Sequence, residues 1–197
     1  GDIDNDGENE VIAGSFDDTL RGFKDGGRQV WRVDFDSWLG CCAVGDVDND
    51  GLNEVIAGSN DRTFRCYKGG IEVWRAEFGD WVACCAIGDV DNDDLNEIVV
   101  GSFDGTLRCY KRGREIWRIG IFGTVGSIAI GDTDSDGINE IVIGCGDRTI
   151  RCLKNGKEVW KEILDDYPDT VAIGDVDNDG KNEIISGDWG GYLRYFK

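Results

Sequence analysis

Five copies of one acidic motif at a near-constant period, short runs of alternating apolar and polar residues, and no segment with helical periodicity predict an all-β fold: a β-propeller or a large arc of one. The motif reads GDIDNDGENE at Gly1, GDVDNDGLNE at Gly45, GDVDNDDLNE at Gly88, GDTDSDGINE at Gly131 and GDVDNDGKNE at Gly174, a period of 44 and then 43 residues. A unit of that length holds about four strands of five or six residues with their turns, which is the content of one propeller blade. The expectation is one domain over residues 1–197 with about five four-stranded blades.

The third unit shows how each blade reads. An apolar run from Ala83 to Ile87 (strand A) enters the acidic loop, and Glu97 to Val100 (strand B) leaves it. The turn Ser102-Phe103-Asp104-Gly105 leads to Thr106–Tyr110 (strand C), and Arg112-Gly113 to Glu115–Arg118 (strand D). Pro168, the one proline of the chain, falls in the connection before the fifth strand A, where a missing backbone donor costs least. Strand D carries a tryptophan at Trp31, Trp74, Trp117 and Trp160, read as the large ring that fills the wedge between neighbouring blades. Arg21, Arg65, Arg108, Arg151 and Arg194 recur in strand C and are expected to pair with acidic groups between blades. The chain starts after one strand A and stops after one strand C, so an arc completed by further sequence or by self-association through open blade edges is expected.

The acidic loops carry the clearest chemistry. Carboxylates at positions one, three, five and nine, with a mid-loop carbonyl from position seven, supply the six or more hard oxygens that calcium takes at about 2.3–2.6 Å. The candidate ligands are Asp2, Asp4, Asp6, Glu8 and Glu10 in the first loop, and Asp46, Asp48, Asp50, Leu52 and Glu54 in the second. They are Asp89, Asp91, Asp93, Leu95 and Glu97 in the third, and Asp132, Asp134, Asp136, Ile138 and Glu140 in the fourth. The fifth loop offers Asp175, Asp177, Asp179, Lys181 and Glu183. Such a cluster repels itself without a cation, so about one Ca2+ per repeat, four or five in all, is expected. Magnesium suits the site less, because it prefers octahedral geometry and keeps several waters. Position six is glycine in four loops and Asp94 in the third, where a left-handed backbone remains accessible to aspartate at modest cost.

The GDxDxDGxxE spacing between two strands resembles the FG-GAP, or integrin-alpha-like, propeller repeats, and the resemblance runs through all 197 residues. It implies an ion that rigidifies one face of the propeller and a domain that serves recognition rather than chemistry. The glutamate at position nine and the flanking strands separate the loop from an EF-hand. The second half of each unit, such as GSNDRTFRCYKGGIEVW from Gly58, is similar to quinoprotein-type blades with their docking tryptophan, a likeness of blade construction alone.

The remaining residues narrow the function. With no histidine, Ser-His-Asp, Cys-His and most zinc chemistries are excluded, and the carboxylates that glycoside hydrolysis would need are mostly committed to the loops. A formal charge of −19 argues against nucleic acid or an anionic membrane as partner, and no apolar run is long enough to span a bilayer. The eight cysteines follow the repeat as small core residues, which favours the cytoplasm, whereas calcium loops favour an extracellular setting. Trp38, Trp81 and Tyr167 precede strand A at one offset, with Thr124 breaking the series, and form a candidate partner-binding rim. The leading expectation is a non-enzymatic, calcium-binding scaffold for another protein. A lectin-like module for glycans and a catalytic propeller of the quinoprotein or lyase kind are the alternatives.

Overall fold

The computed structural model describes residues 1–4 and 6–197, and all of its regular structure is β-strand. Strands β1 (Val11–Gly14), β2 (Thr19–Lys24) and β3 (Arg28–Asp34) form the first sheet. The second holds β4 (Leu39–Gly45), β5 (Glu54–Ser59), β6 (Thr63–Lys68) and β7 (Ile71–Glu77). The third holds β8 (Val82–Gly88), β9 (Glu97–Ser102), β10 (Thr106–Lys111) and β11 (Arg114–Gly120). The fourth holds β12 (Val125–Gly131), β13 (Glu140–Cys145), β14 (Thr149–Lys154) and β15 (Lys157–Ile163). The last comprises β16 (Pro168–Gly174), β17 (Glu183–Asp188) and β18 (Leu193–Phe196). Every sheet is an antiparallel meander in chain order, as the A-to-D strand reading expects. Pro168 lies one step later than expected, as the opening residue of β16 opposite Asp188, another place where a strand tolerates proline.

Burial sets the radial order. The A strands β4, β8, β12 and β16 pack side by side and are therefore nearest the axis. The B strands β5, β9 and β13 are buried at every residue, so their sequences (EVIAGS, EIVVGS, EIVIGC) are nearly continuous apolar runs. The D strands alternate between exposed and half-buried residues and form the rim. A register shift recurs between the first two strands of each four-stranded sheet and again between its last two, at Cys66/Tyr67, Cys109/Tyr110 and Cys152/Leu153 in the latter pair. Such bulges increase strand twist, which fans the blades.

The core is divided into four wedges, one between each pair of successive sheets. Phe64, Ile56, Val100 and Tyr110 fill the wedge between the second and third, and Ile143, Leu107, Val99 and Leu153 the next. The D-strand tryptophans close the outer end of these wedges, as expected. Trp31 meets Tyr67 of the following sheet edge-on at 5.5 Å, and Trp74 stacks on Tyr110 at 5.5 Å. Trp160 meets Phe196 at 6.3 Å.

Four of the five strand C arginines depart from the expectation. Arg65 pairs within its own sheet across the B–C turn with Asp61 at 2.6 Å, as do Arg108 with Asp104 at 3.2 Å and Arg21 and Arg151 with Asp17 and Asp147, whereas Arg194 pairs both with Asp188 of its own sheet at 3.0 Å and, as expected, with Asp165 of the connection from the preceding blade at 2.9 Å. In the first four blades the turn brings these groups together locally, so no inter-blade carboxylate is needed there. What crosses the blade gap is the guanidinium face, 4.2 Å above Phe35 for Arg65 and 3.8 Å above Phe78 for Arg108.

Because strands alternate in direction, the A–B loops and C–D turns share one end of the molecule, while the D–A connections and B–C turns share the other. The acidic loops and the aromatic rim are thus on opposite faces.

Candidate functional site

Each acidic loop is a compact turn held by its own carboxylates. In the second, Asp46 accepts the N–H groups of Asp50 (3.1 Å) and Gly51 (2.8 Å), and Asp50 accepts that of Leu52 (3.1 Å). Glu54, 1% exposed, accepts the N–H of Val47 at 3.0 Å through Oε2. The position-seven residues Glu8, Leu52, Leu95, Ile138 and Lys181 all anchor their N–H on the position-five aspartate. Asp94 takes the left-handed backbone expected of it, at φ 64°, against 92° for Gly51. Position four is left-handed as well, at Asn49, Asn92, Ser135 and Asn178, residues that favour or tolerate that region.

The turns aim three acidic side chains of each loop at one point, with oxygens within 4.8 Å of one another. These are Asp2, Asp4 and Asp6; Asp46, Asp48 and Asp50; Asp89, Asp91 and Glu97; Asp132, Asp134 and Asp136; and Asp175, Asp177 and Glu183. All five clusters contain hard oxygen donors of the kind calcium takes. The second carboxylate oxygen, Oε1, of Glu10, Glu54, Glu97 and Glu140 is buried and lies 2.6–3.1 Å from a lysine ammonium, and that of Glu183 is buried 3.9 Å from one. This oxygen faces the cluster, and the donor set fits a hard divalent cation.

A cation also comes from the chain itself. The last residue of strand C is lysine in the first four sheets, and Lys197 takes the same register in the fifth. Lys68 Nζ lies 2.9 Å from Asp48, 2.6 Å from Asp50 and 2.8 Å from Glu54. Lys111 repeats this with Asp91, Asp93 and Glu97 at 3.1, 2.6 and 2.8 Å, and Lys154 with Asp134, Asp136 and Glu140 at 3.2, 2.7 and 2.6 Å. Lys24 and Lys197 reach the equivalent groups of the first and fifth loops. Hydrogen bonds from these lysines hold Asp6, Asp50, Asp93, Asp136 and Asp179 below the usual carboxylate range. One ammonium against four carboxylates still leaves each loop short of neutrality, so room for a divalent charge remains.

The asparagine at position eight joins the loops around the face. Asn53 donates to the backbone carbonyl of Asp2 (2.9 Å), Asn96 to that of Asp46 (3.0 Å), Asn139 to that of Asp89 (2.8 Å) and Asn182 to that of Asp132 (2.8 Å). Neither these asparagines nor the lysines were among the expected site residues, although both recur at the repeat period and could have been found from it.

On the opposite face Phe16, Trp38, Trp81 and Phe103 form a row with ring centroids 5.0, 4.5 and 4.5 Å apart. Trp38 and Trp81 are half-buried, whereas Phe16 is 81% and Tyr167 48% exposed. Two of the three rim residues therefore meet in one row, and Tyr167 stands apart beyond Thr124. The cysteines are all free, five of them buried. Burial pushes the Cys66 thiol up to about 12 and that of Cys152 to about 11, which keeps them protonated and unreactive.

No family model matches the sequence, and no curated protein matches it. Solved structures match closely in shape. The WD40 β-propeller domain of Doa1 superposes with a TM-score of 0.75 at 21% identity, over 96% of this chain and 61% of that one. The fold is a β-propeller. The computationally designed Ika8 protein gives a TM-score of 0.75 at 18% identity (96% of this chain, 55% of that one). BBS1N in complex with ARL6DN gives 0.75 at 14% identity (98% and 65%). The chain spans between 55% and 65% of the length of these three structures. Its five sheets are consistent with about five blades, and no helix among the described residues is long and apolar enough to cross a membrane.

Proposed function

We propose that this propeller is a non-enzymatic scaffold that docks a protein partner on its aromatic face and takes calcium in the acidic loops of the opposite one. The row Phe16, Trp38, Trp81 and Phe103 carries the docking half of the proposal. Aromatic rings presented on connections of a rigid scaffold are efficient anchors, since they contribute large contact area with few side-chain torsions to fix. The similar BBS1N propeller was solved in complex with another protein, which is compatible with the same use of this fold.

The test is affinity capture followed by reconstitution with the purified partner, comparing the native chain with a Trp38→Ala/Trp81→Ala variant. The expected result is a partner lost to the variant while its melting curve stays cooperative. Equal capture by both would place the docking surface elsewhere. Binding of glycans on an array, abolished by Trp81→Ala, would favour the lectin-like alternative.

The calcium half rests on the convergent carboxylates, on the buried glutamate oxygen facing them, and on the resemblance to FG-GAP repeats. Asp2, Asp46, Asp89, Asp132 and Asp175, with the aspartates and glutamates that follow in each loop, would hold the ion, which would supply loop rigidity. Since an ammonium already neutralises part of the cluster, calcium has to displace it. Calorimetric titration is expected to count four or five ions with a modest rise in melting temperature. No heat of binding at millimolar calcium would leave the lysines as the only counter-ions.

A further inference from the structure

The aromatic face contains a notch at the fourth blade, and its origin is visible in the repeat. Two positions on this face carry rings, one before strand A (Trp38, Trp81, Thr124, Tyr167) and one in the B–C turn (Asn60, Phe103, Gly146, Trp189). Backbone geometry at the pair is the same throughout. The turn residue donates its N–H to the carbonyl of the other at 2.9 Å for Asn60 and Trp38, 2.8 Å for Phe103 and Trp81, 2.8 Å for Gly146 and Thr124, and 3.1 Å for Trp189 and Tyr167. The third and fifth blades fill both positions with rings. The fourth has threonine and glycine, packed so closely that a Cβ on Gly146 would meet Thr124 Oγ1.

The space those side chains leave is a cavity of about 390 Å³. Phe103 walls it on one side, Tyr167 and Trp189 on the other, and Gly126, Gly144 and Gly146 lie at its base. Its lining is mostly apolar, and Asp169 at its edge accepts a hydrogen bond from Trp189 Nε1 at 3.0 Å. The segment that borders it runs Asp165-Asp166-Tyr167 and on into the start of β16 at Pro168-Asp169; Arg194 pairs with Asp165 at 2.9 Å, and three aspartates against that one base leave the edge acidic, in a chain of net charge −19.

Building on the docking role of this face, we propose that the notch receives one aromatic side chain of a basic segment of the partner. The inserted ring would occupy the place Trp81 takes in the preceding blade, where it packs 4.5 Å from Phe103, and so extend the row from Phe103 toward Tyr167. Basic residues flanking it would face Asp166 and Asp169 of the bordering segment.

The experiment uses two capped peptides, Lys-Lys-Trp-Lys-Lys and Lys-Lys-Ala-Lys-Lys, titrated calorimetrically into the full chain, into T124W and into W189A. The tryptophan peptide is expected to bind roughly tenfold or more tighter than the alanine peptide, a gain of the size a buried aromatic anchor supplies. That preference should vanish in T124W, in which the chain fills its own notch, and weaken in W189A, which loses a wall. T124W restores the ring found in the two preceding blades and should melt no lower than the native chain; if it fails to fold, W189A and Y167A carry the test. Equal affinity for the two peptides, or an undiminished preference in the variants, overturns the proposal, as does ring-dependent binding of methyl glycosides in place of the peptide. A purified partner whose capture needs Trp38 and Trp81 but is indifferent to T124W would overturn the notch and leave the docking face standing. Capture indifferent to all of them would overturn both.

Discussion

At Lys68 the structure answers a problem of charge. Four carboxylates in one tight loop need a cation, and an ammonium 2.6–2.9 Å from three of them provides a first one without metal. Replacing it by Lys68→Met is expected to lower the metal-free melting temperature and to enlarge the rise that calcium produces, by several degrees relative to the native chain. An unchanged calcium response, followed by calorimetry, would show that the lysine and the ion do not share the site. The same pairing sets the acid response. Asp50, Asp93 and Asp136 have folded values depressed by hydrogen bonds from Lys68, Lys111 and Lys154, so the unfolded chain binds more protons as pH falls. Their stabilisation is complete above the unfolded carboxylate value of about 4 and is lost as pH falls through the folded values. Urea unfolding between pH 7 and 2 should show this decline, shallower in Lys68→Met.

Elements are joined by two repeating polar networks. Across the B–C turn of the second blade, Asp61 Oδ1 accepts from Thr63 Oγ1 (2.6 Å), Thr63 Oγ1 accepts from Arg65 Nε (2.8 Å), and Arg65 closes the circuit on Asp61 Oδ2. The next two blades repeat it with Asp104, Thr106 and Arg108 and with Asp147, Thr149 and Arg151. With 9% and 6% of their side chains exposed, Arg65 and Asp61 form a nearly buried pair. Arg65→Leu strands the carboxylate and is expected to cost ~3 kcal/mol in urea unfolding. On the other face, Asn96→Ala removes the donor to Asp46 and is expected to cost ~1 kcal/mol, with faster amide exchange at Val47 and Asp50. Uniform protection in the variant would mean that the loops stand independently of one another.

For the molecule as a whole, stability is a sum over wedges, each built by two neighbouring blades. Phe64, fully buried between the second and third sheets against Trp74 and Tyr110, is the largest fully buried side chain among the described residues, and Phe64→Ala is expected to cost ~3–5 kcal/mol. Ile71→Ala on the rim, 71% exposed at the start of β7, should change stability by no more than ~0.5 kcal/mol. Denaturant unfolding monitored by tryptophan fluorescence distinguishes the two, and comparable losses would refute the wedge description.

The period, the four strands of each complete blade and the turn chemistry of the acidic loops are legible in the amino-acid sequence, because each depends on neighbours within about one strand and turn. The carboxylates that converge are spaced by the loop itself, and Trp74 reveals its place by recurrence alone. The counter-ion, the loop-to-loop latch and the notch depend on the tertiary structure. Lys68 meets Asp48 from 20 residues away, and Asn53 meets the Asp2 carbonyl from 51. The notch takes walls from the third and fifth blades and its floor from the fourth. Strand register and the angle between twisted sheets decide which of these distant groups touch, and both are products of packing the blades together.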